Sequence, residues 1–274
     1  NNEQKEAIEN INGPLLIIAG AGSGKTRVLT YRYAHLIKTY GINFENVLAI
    51  TFTNKAANEM KDRISDLLNL ELSPKWISTF HSLCVKMLRI HGHLIGFNNN
   101  FTIYDQSDST KLVRNCMRDS DIDTKQYSPK RIQAHISSLK NQRILPGEAV
   151  EFAQSFFDVK VAEIYSSYQK KLMLANSMDF DDLLIKAVEL LETSDKSLNY
   201  WSSKFQYIMI DEYQDTNMVQ YRLVELLASK HKNICVVGDS DQSIYAFRGA
   251  DIRNIEEFES CLLYTSDAAD EIAS

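Results

Sequence analysis

Residues 14–26 read PLLIIAGAGSGKT, an apolar run that leads directly into a glycine-rich turn. The apolar run is typical of a buried strand. The turn fits the phosphate-loop pattern, except that Ala19 stands where the general pattern has its first glycine. A glycine-rich turn without a ligand is the alternative, but strand, loop and helix follow in the order that a phosphate loop requires. The stretch therefore predicts an α/β fold with a phosphate site after its first strand.

The same stretch supplies candidate nucleotide contacts. Its glycines let backbone N–H groups approach phosphate oxygens, and a helix that starts near Lys25 points its positive end at them. Lys25 is predicted to reach the β- and γ-phosphates, and the Thr26 hydroxyl to bind Mg²⁺. ATP and Mg²⁺ are the predicted cofactors. The predicted nucleotide contacts here are Ala19, Gly20, Ala21, Gly22, Ser23, Gly24, Lys25, Thr26 and Arg27.

A second apolar run, at residues 207–210, ends in the acidic pair Asp211 and Glu212. Ligands of open parallel sheets bind at the carboxyl ends of strands. Asp211 is therefore predicted to hold Mg²⁺, and Glu212 to orient or deprotonate the attacking water. Alone, such a pair is equally well explained as a solvated turn. Together with a phosphate loop it predicts a metal-assisted hydrolytic site.

Residues 238–251 read GDSDQSIYAFRGAD, which places an amide shortly before two aromatic residues and an arginine. The Gln242 amide can sense a terminal phosphate. Tyr245 and Phe247 can stack on bases, and Arg248 can hold a backbone phosphate. The run predicts coupling between ATP hydrolysis and movement along a single strand.

Composition sets limits on the class of protein. The formal net charge of −6 argues against a general basic field for nucleic acid, but it leaves local strand contacts open. The four cysteines show no metal-ligand spacing and fit a reducing cytoplasm. No apolar run approaches the roughly 20 residues that a membrane span needs, so a cytoplasmic protein without a membrane partner is predicted.

Apolar runs and helical patterns alternate along most of the chain, which predicts a parallel sheet flanked by helices. The predicted strands are 15–19, 47–52, 76–79, 205–210 and 234–238. The predicted helices between them are 26–38, 55–70, 80–91 and 218–230. From about residue 92 to 203 the pattern is helical, which predicts an insertion between two parts of one sheet. Its predicted elements are a brief strand at 101–104 and helices at 107–118, 129–141, 148–175 and 180–191.

Within the insertion, residues 179–184 read DFDDLL. A metal site is one interpretation of the three aspartates. A helix start is the better one, because Asp179 can cap a helix while Asp181 and Asp182 favour its positive end.

These motifs, in this order, resemble the superfamily 1 DNA helicases of the UvrD/PcrA/Rep group over roughly residues 1–259. Residues 1–7, NNEQKEA, resemble the family's Q motif, which implies that Gln4 reads the adenine edge. Residues 48–57, LAITFTNKAA, resemble motif Ia, and residues 78–82, STFHS, resemble the next DNA-contacting motif. The DNA contacts that the resemblance implies are Phe52, Thr53, Asn54 and His81.

The resemblance also implies a domain organisation. A RecA-like, ATP-binding motor domain (1A) would comprise residues 1–91 and 204–259, and the helical insertion (1B) residues 92–203. Residues 260–274 depart from the family pattern, look like translated sequencing-adapter text, and are predicted to be a non-native tail. The chain would then be the first motor half of a longer protein, nearly inactive without its second motor domain.

The function implied is ATP-dependent 3′-to-5′ movement on single-stranded DNA and at junctions of single and double strands, with repair or replication proteins as partners. Two alternatives stay open: the motor part of a helicase-nuclease subunit, and a nucleotide-dependent DNA-binding switch that does not unwind. A small-molecule P-loop kinase would have no use for Phe52, Tyr245 and Phe247.

Overall fold

The computed structural model describes residues 2–20, 22–69 and 74–239. Helices and strands alternate along them. The helices are α1 (Asn2–Glu9), α2 (Lys25–Tyr40), α3 (Asn54–Leu68), α4 (Phe80–His91), α5 (Gln106–Asp119), α6 (Pro129–Asn141), α7 (Phe156–Leu174), α8 (Phe180–Thr193), α9 (Asp195–Lys204) and α10 (Met218–Ala228). The strands are β1 (Leu15–Ile18), β2 (Val47–Thr51), β3 (Ile77–Thr79), β4 (Thr102–Ile103), β5 (Ser177–Met178), β6 (Tyr207–Ile210) and β7 (Ile234–Gly238).

The chain divides into two compact units. The first comprises the residues up to Leu83 and those from Asp195 onward, and the second is Cys84–Ser194. In the first unit, five parallel strands form a sheet in the order β1-β7-β6-β2-β3. The fold is therefore α/β, with a parallel sheet flanked by helices, as the alternating apolar runs predict.

The sheet is buried because helices cover it. Every residue of β2 and β7 is buried, which explains why these strands read as continuous apolar runs rather than as alternating patterns. Leu29, Tyr33 and Leu36 of α2 pack in one core cluster with residues of β2, β6 and β7. Cys235 of β7, predicted to be a small buried apolar side chain, is 1% exposed and lies in this cluster.

Helix α9 belongs to the sheet-containing unit because aromatic side chains anchor it there. Trp201 of α9 lies 5.7 Å from Trp76, measured between ring centroids, and Phe205 lies 5.1 Å from Trp76. All three side chains are buried. The division therefore falls before α9, whereas the sequence-based boundary lies at 203/204.

The second unit is helical, and its core is formed by α5, α6 and α7. The brief strand predicted at 101–104 is present as β4, which pairs in parallel with β5. The helix predicted over 148–175 is too long, because α7 begins only at Phe156. The Ser155 side chain caps α7 by accepting a hydrogen bond from the Asp158 N–H, and residues 148–152 form turns instead.

A buried charge cluster joins α6 to α8 in this unit. The Lys140 Nζ donates to Asp179 Oδ2 at 2.7 Å and to Asp182 Oδ1 at 2.8 Å, and the Tyr168 hydroxyl donates to Asp179 Oδ2 at 2.8 Å. Burial lowers the pKa of Lys140, but the two carboxylates outweigh it and raise the pKa overall. Asp179 caps α8 in a capping box with Asp182, so the predicted helix start is confirmed.

None of the helices that the structure describes is long and apolar enough to cross a membrane. Within the same residues, no group of His, Cys, Asp or Glu side chains is arranged to hold a metal ion by itself.

Candidate functional site

All five strands of the main sheet are parallel, so the segments that follow them lie along one edge. The glycine-rich loop follows β1, Asp239 follows β7, and Asp211 follows β6. Because β7 lies between β1 and β6, the loop and the acidic pair meet across it. The sequence-predicted nucleotide residues on both sides are thus brought together.

The glycine-rich loop needs its glycines for backbone geometry. Gly22 and Gly24 have φ angles of 74° and 87°, in the left-handed region that side chains other than glycine rarely adopt. The loop is tied to the neighbouring strand by the Ala19 N–H, which donates to the Gly238 carbonyl at 3.1 Å. Helix α2 begins directly after Gly24, so its N-terminal N–H groups lie at the loop.

Lys25 is buried, and it is the first residue of α2. Its Nζ donates to the carbonyls of Ala19 at 2.7 Å and Gly20 at 3.1 Å, and to Asp239 Oδ2 at 3.0 Å. An ammonium group has three donors, and these contacts account for three. A phosphate that pairs with Lys25 must therefore replace one of these three acceptors. Asp239 is the only one of the three that carries a carboxylate.

Thr26 and Asp211 form the candidate Mg²⁺ site. The Thr26 hydroxyl donates to Asp211 Oδ2 at 2.7 Å, and Asp211 is 3% exposed. Burial raises the pKa of Asp211, which a bound cation would oppose by favouring the carboxylate. A hydroxyl beside a carboxylate is an oxygen donor set that fits Mg²⁺ with phosphate and water completing its coordination.

Glu212 has a backbone conformation that is unusual for its residue type. Its φ and ψ angles of 52° and 45° are left-handed, a conformation that costs roughly 1–3 kcal/mol and concentrates at functional positions. Its N–H donates to Asp211 Oδ1 at 3.1 Å, and its Oε2 accepts from Gln214 Nε2 at 2.8 Å. The strained turn thus places the two acidic residues side by side.

Asp215 lies beside this acidic pair. Burial, and then the charge of Glu212, raise the pKa of Asp215 to about 6. Its Oδ1 is buried and accepts no hydrogen bond within the residues that the structure describes. The folded protein therefore keeps this carboxyl group protonated to a higher pH than is usual for an aspartate.

Asp215→Asn is expected to stabilise the chain only above about pH 4. The folded pKa, about 6, lies above the ordinary value of 3.8, so the wild-type protein loses stability as pH rises from 3.8 to about 6 and Asp215 ionises. Thermal unfolding midpoints between about pH 4 and 8 should show a gain that grows with pH and levels off above the folded pKa. Asp66→Asn, at an exposed position of α3, is the matched control for net charge. A gain of equal size at every pH would contradict the assignment.

Two other predicted nucleotide contacts lie close to the loop. The Gln4 Nε2 donates to the Ser23 carbonyl at 2.9 Å, so the start of the chain is held against the loop. Arg27 is exposed, and its guanidinium lies 5.3 Å from the centroid of the Tyr31 ring. Ala21 lies outside the described residues.

The candidate DNA contacts follow β2 and β3, at the same sheet edge. The half-buried Phe52 packs edge-on against the buried Phe80, at 5.7 Å between ring centroids. Thr53 is exposed and caps α3 by accepting from the Ala56 N–H at 3.1 Å, and the exposed Asn54 is the first residue of α3. His81 lies in the first turn of α4, where burial lowers its pKa.

The remaining predicted contacts, Gln242, Tyr245, Phe247 and Arg248, lie outside the described residues, as does the predicted non-native tail at 260–274. The structure also brings to the site two residues to which the sequence patterns assign no role, Gln214 and Asp239. Both stand inside motif stretches, within three residues of a residue with a predicted role, and that position is the signal that could have found them.

A glycine-rich loop between a strand and a helix, close to an acidic strand end, is typical of the P-loop class of nucleotide-binding proteins. Within that class, the chain belongs to the UvrD/REP helicase family, since the UvrD/REP helicase N-terminal domain model matches residues 1–262. The resemblance drawn from the motifs is confirmed.

Curated relatives agree with the family assignment. The chain is 51% identical over 259 residues to the ATP-dependent DNA helicase PcrA of Staphylococcus aureus strain Mu50. It is 50% identical over 259 residues to the ATP-dependent DNA helicase PcrA of Staphylococcus epidermidis. Each match covers 94% of this chain and 36% of the relative. The chain therefore spans about a third of the length of these relatives.

Proposed function

We propose that this chain is the N-terminal motor part of an ATP-dependent DNA helicase that moves 3′-to-5′ along single-stranded DNA. The observation that carries the proposal is the meeting of Lys25, Thr26, Asp211 and Glu212 at one sheet edge that also bears Phe52 and His81. Phosphate chemistry and strand contacts at the same edge are what a translocating motor requires.

The side chains divide the work of ATP hydrolysis. Lys25 and the N–H groups at the start of α2 bind the phosphates, and Thr26 and Asp211 hold Mg²⁺. When bound, Mg²⁺ neutralises charge on the transferring phosphate. Glu212 accepts the proton of the attacking water at its carboxylate. Gln4 contacts the adenine edge, and Gln242 senses the terminal phosphate.

The strand contacts would come from Phe52, Thr53, Asn54 and His81, together with Tyr245, Phe247 and Arg248. Residues 1–91 and 204–259 would act as the motor domain and residues 92–203 as its insertion. A second motor domain would complete the ATP site. Junctions of single and double strands are the expected substrates, repair or replication proteins the expected partners, and the cytoplasm the expected location.

Translocation on labelled DNA tests the proposal. With an intact helicase that contains this region, the fluorescence of a label at the 5′ end of the single-stranded DNA should change after a delay that grows with the length of the DNA. The fluorescence of a label at the 3′ end should not change in this way. Strand displacement without loss of DNA would exclude the two alternatives, because a binding switch does not unwind and a helicase-nuclease degrades its substrate. ATP-dependent binding without directional movement would contradict the proposal.

A further inference from the structure

Gln214 lies in the short 3₁₀ turn Tyr213–Asp215 and is 2% exposed. Both polar atoms of its side-chain amide form hydrogen bonds. The Nε2 donates to Glu212 Oε2 at 2.8 Å, and the Oε1 accepts from the Asp239 N–H at 2.9 Å. One buried amide therefore joins the turn after β6 to the end of β7.

The two partners fix the orientation of this amide. A backbone N–H can only donate, so the Gln214 Oε1 must face Asp239. An ionised carboxylate can only accept, so the Nε2 must face Glu212. Neither glutamate nor an apolar side chain satisfies both partners, which makes glutamine the side chain that fits both.

Gly238 leaves room for the amide. A Cβ built on Gly238 would lie 3.1 Å from Gln214 Oε1 and 3.6 Å from the Gln214 backbone nitrogen. The Asp239 carboxylate in turn accepts from Lys25 Nζ at 3.0 Å. A continuous line of contacts thus runs from Glu212 through Gln214 and Asp239 to the lysine of the phosphate loop.

We propose that Gln214 is the positioning residue for Glu212: it holds the carboxylate that accepts the proton of the attacking water. The inference rests on the proposed ATPase function, and it deepens the role of that site. The half-buried Glu212 carboxylate turns freely about its side-chain bonds unless a partner fixes it, and misplacing a general base slows proton transfer without weakening phosphate binding. Loss of the contact between Gln214 and Glu212 should therefore lower kcat and leave nucleotide affinity unchanged.

Gln214→Met and Gln214→Glu test the proposal in an intact helicase that contains this region. The methionine variant keeps the size of the side chain and removes both hydrogen bonds. The glutamate variant keeps the acceptor for Asp239 but places a carboxylate against Glu212. DNA-stimulated kcat should fall on the order of 10²-fold in both, the loss that a misplacement of about 1 Å can cause. Binding of a fluorescent ATP analogue should match that of wild type in Gln214→Glu, which keeps the contact to Asp239.

A double-mutant cycle with Glu212→Gln separates positioning from general damage, with residual turnover followed under single-turnover conditions. If Gln214 acts through Glu212, then either Gln214 variant causes no further loss in the Glu212→Gln background. An equal loss in both backgrounds would overturn the proposal, and so would wild-type kcat in Gln214→Glu, even if Gln214→Met fails to fold. Normal turnover by Glu212→Gln alone would instead refute the proposed role of Glu212.

Discussion

Glu212→Gln is expected to lower ATP turnover by at least about 10²-fold in an intact helicase that contains this region and to leave ATP–Mg²⁺ binding intact. The substitution keeps the shape of the side chain but removes the carboxylate that accepts a proton from the attacking water. General-base catalysis contributes about 10²–10⁴-fold, so kcat should fall by at least that order. Steady-state ATPase assays and equilibrium binding of a fluorescent ATP analogue measure the two quantities.

Lys25→Ala is the contrasting variant, because it should weaken nucleotide binding as well as turnover. Lys25 contacts phosphates before the reaction begins, whereas Glu212 acts only on the water during it. Lys38→Ala, at an exposed position near the end of the same helix, is the control and should behave as wild type. An equal loss of nucleotide affinity in the Glu212 and Lys25 variants would remove the distinction between the two roles.

Lys140→Met is expected to cost about 3–5 kcal/mol of unfolding free energy, because it leaves Asp179 and Asp182 buried without their cation. The Lys140 side chain is 0% exposed, so water cannot replace the lost partner. Methionine keeps most of the volume, which separates the lost charge from a lost contact. Urea denaturation followed by far-ultraviolet circular dichroism measures the change.

Arg143→Met is the matched control for the Lys140 variant. Arg143 pairs with Glu192 at 2.7 Å, and its side chain is 40% exposed. An exposed ion pair is worth only about 0–1 kcal/mol, so this variant should unfold close to wild type. A similar decrease in unfolding free energy in both variants would show that the buried charge cluster stabilises the protein no more than the exposed ion pair does.

The sequence predicts local features of this molecule well because the signals for them are local. The strands at residues 47–52 and 234–238 are continuous apolar runs, and the structure places β2 and β7 there. Asp179 caps α8 as predicted, since the capping partner Asp182 lies three residues away. The helix predicted over 148–175 fails because Ser155 and Asp158 set a start that periodicity does not reveal.

Periodicity and motifs do not predict contacts between segments that are distant along the chain. Lys140 is 39 residues from Asp179 along the chain. In the sequence it stands in a helical pattern, where it cannot be told from an exposed lysine. The bond between Gln214 and Asp239 spans 25 residues and depends on β6 and β7 being neighbours in the sheet. The roles assigned to Lys25, Thr26, Asp211 and Glu212 stay predictions, although the structure brings these side chains together.

Ligand-observed NMR of ATP with this chain is the most direct test of the nucleotide site, because it detects weak binding. With Mg²⁺ present, wild type and Lys38→Ala should transfer saturation to ATP, and Lys25→Ala should transfer far less. Chelation of Mg²⁺ should reduce the wild-type signal, since Thr26 and Asp211 would no longer contact the phosphates through the metal. Equal transfer by wild type and Lys25→Ala would contradict the account.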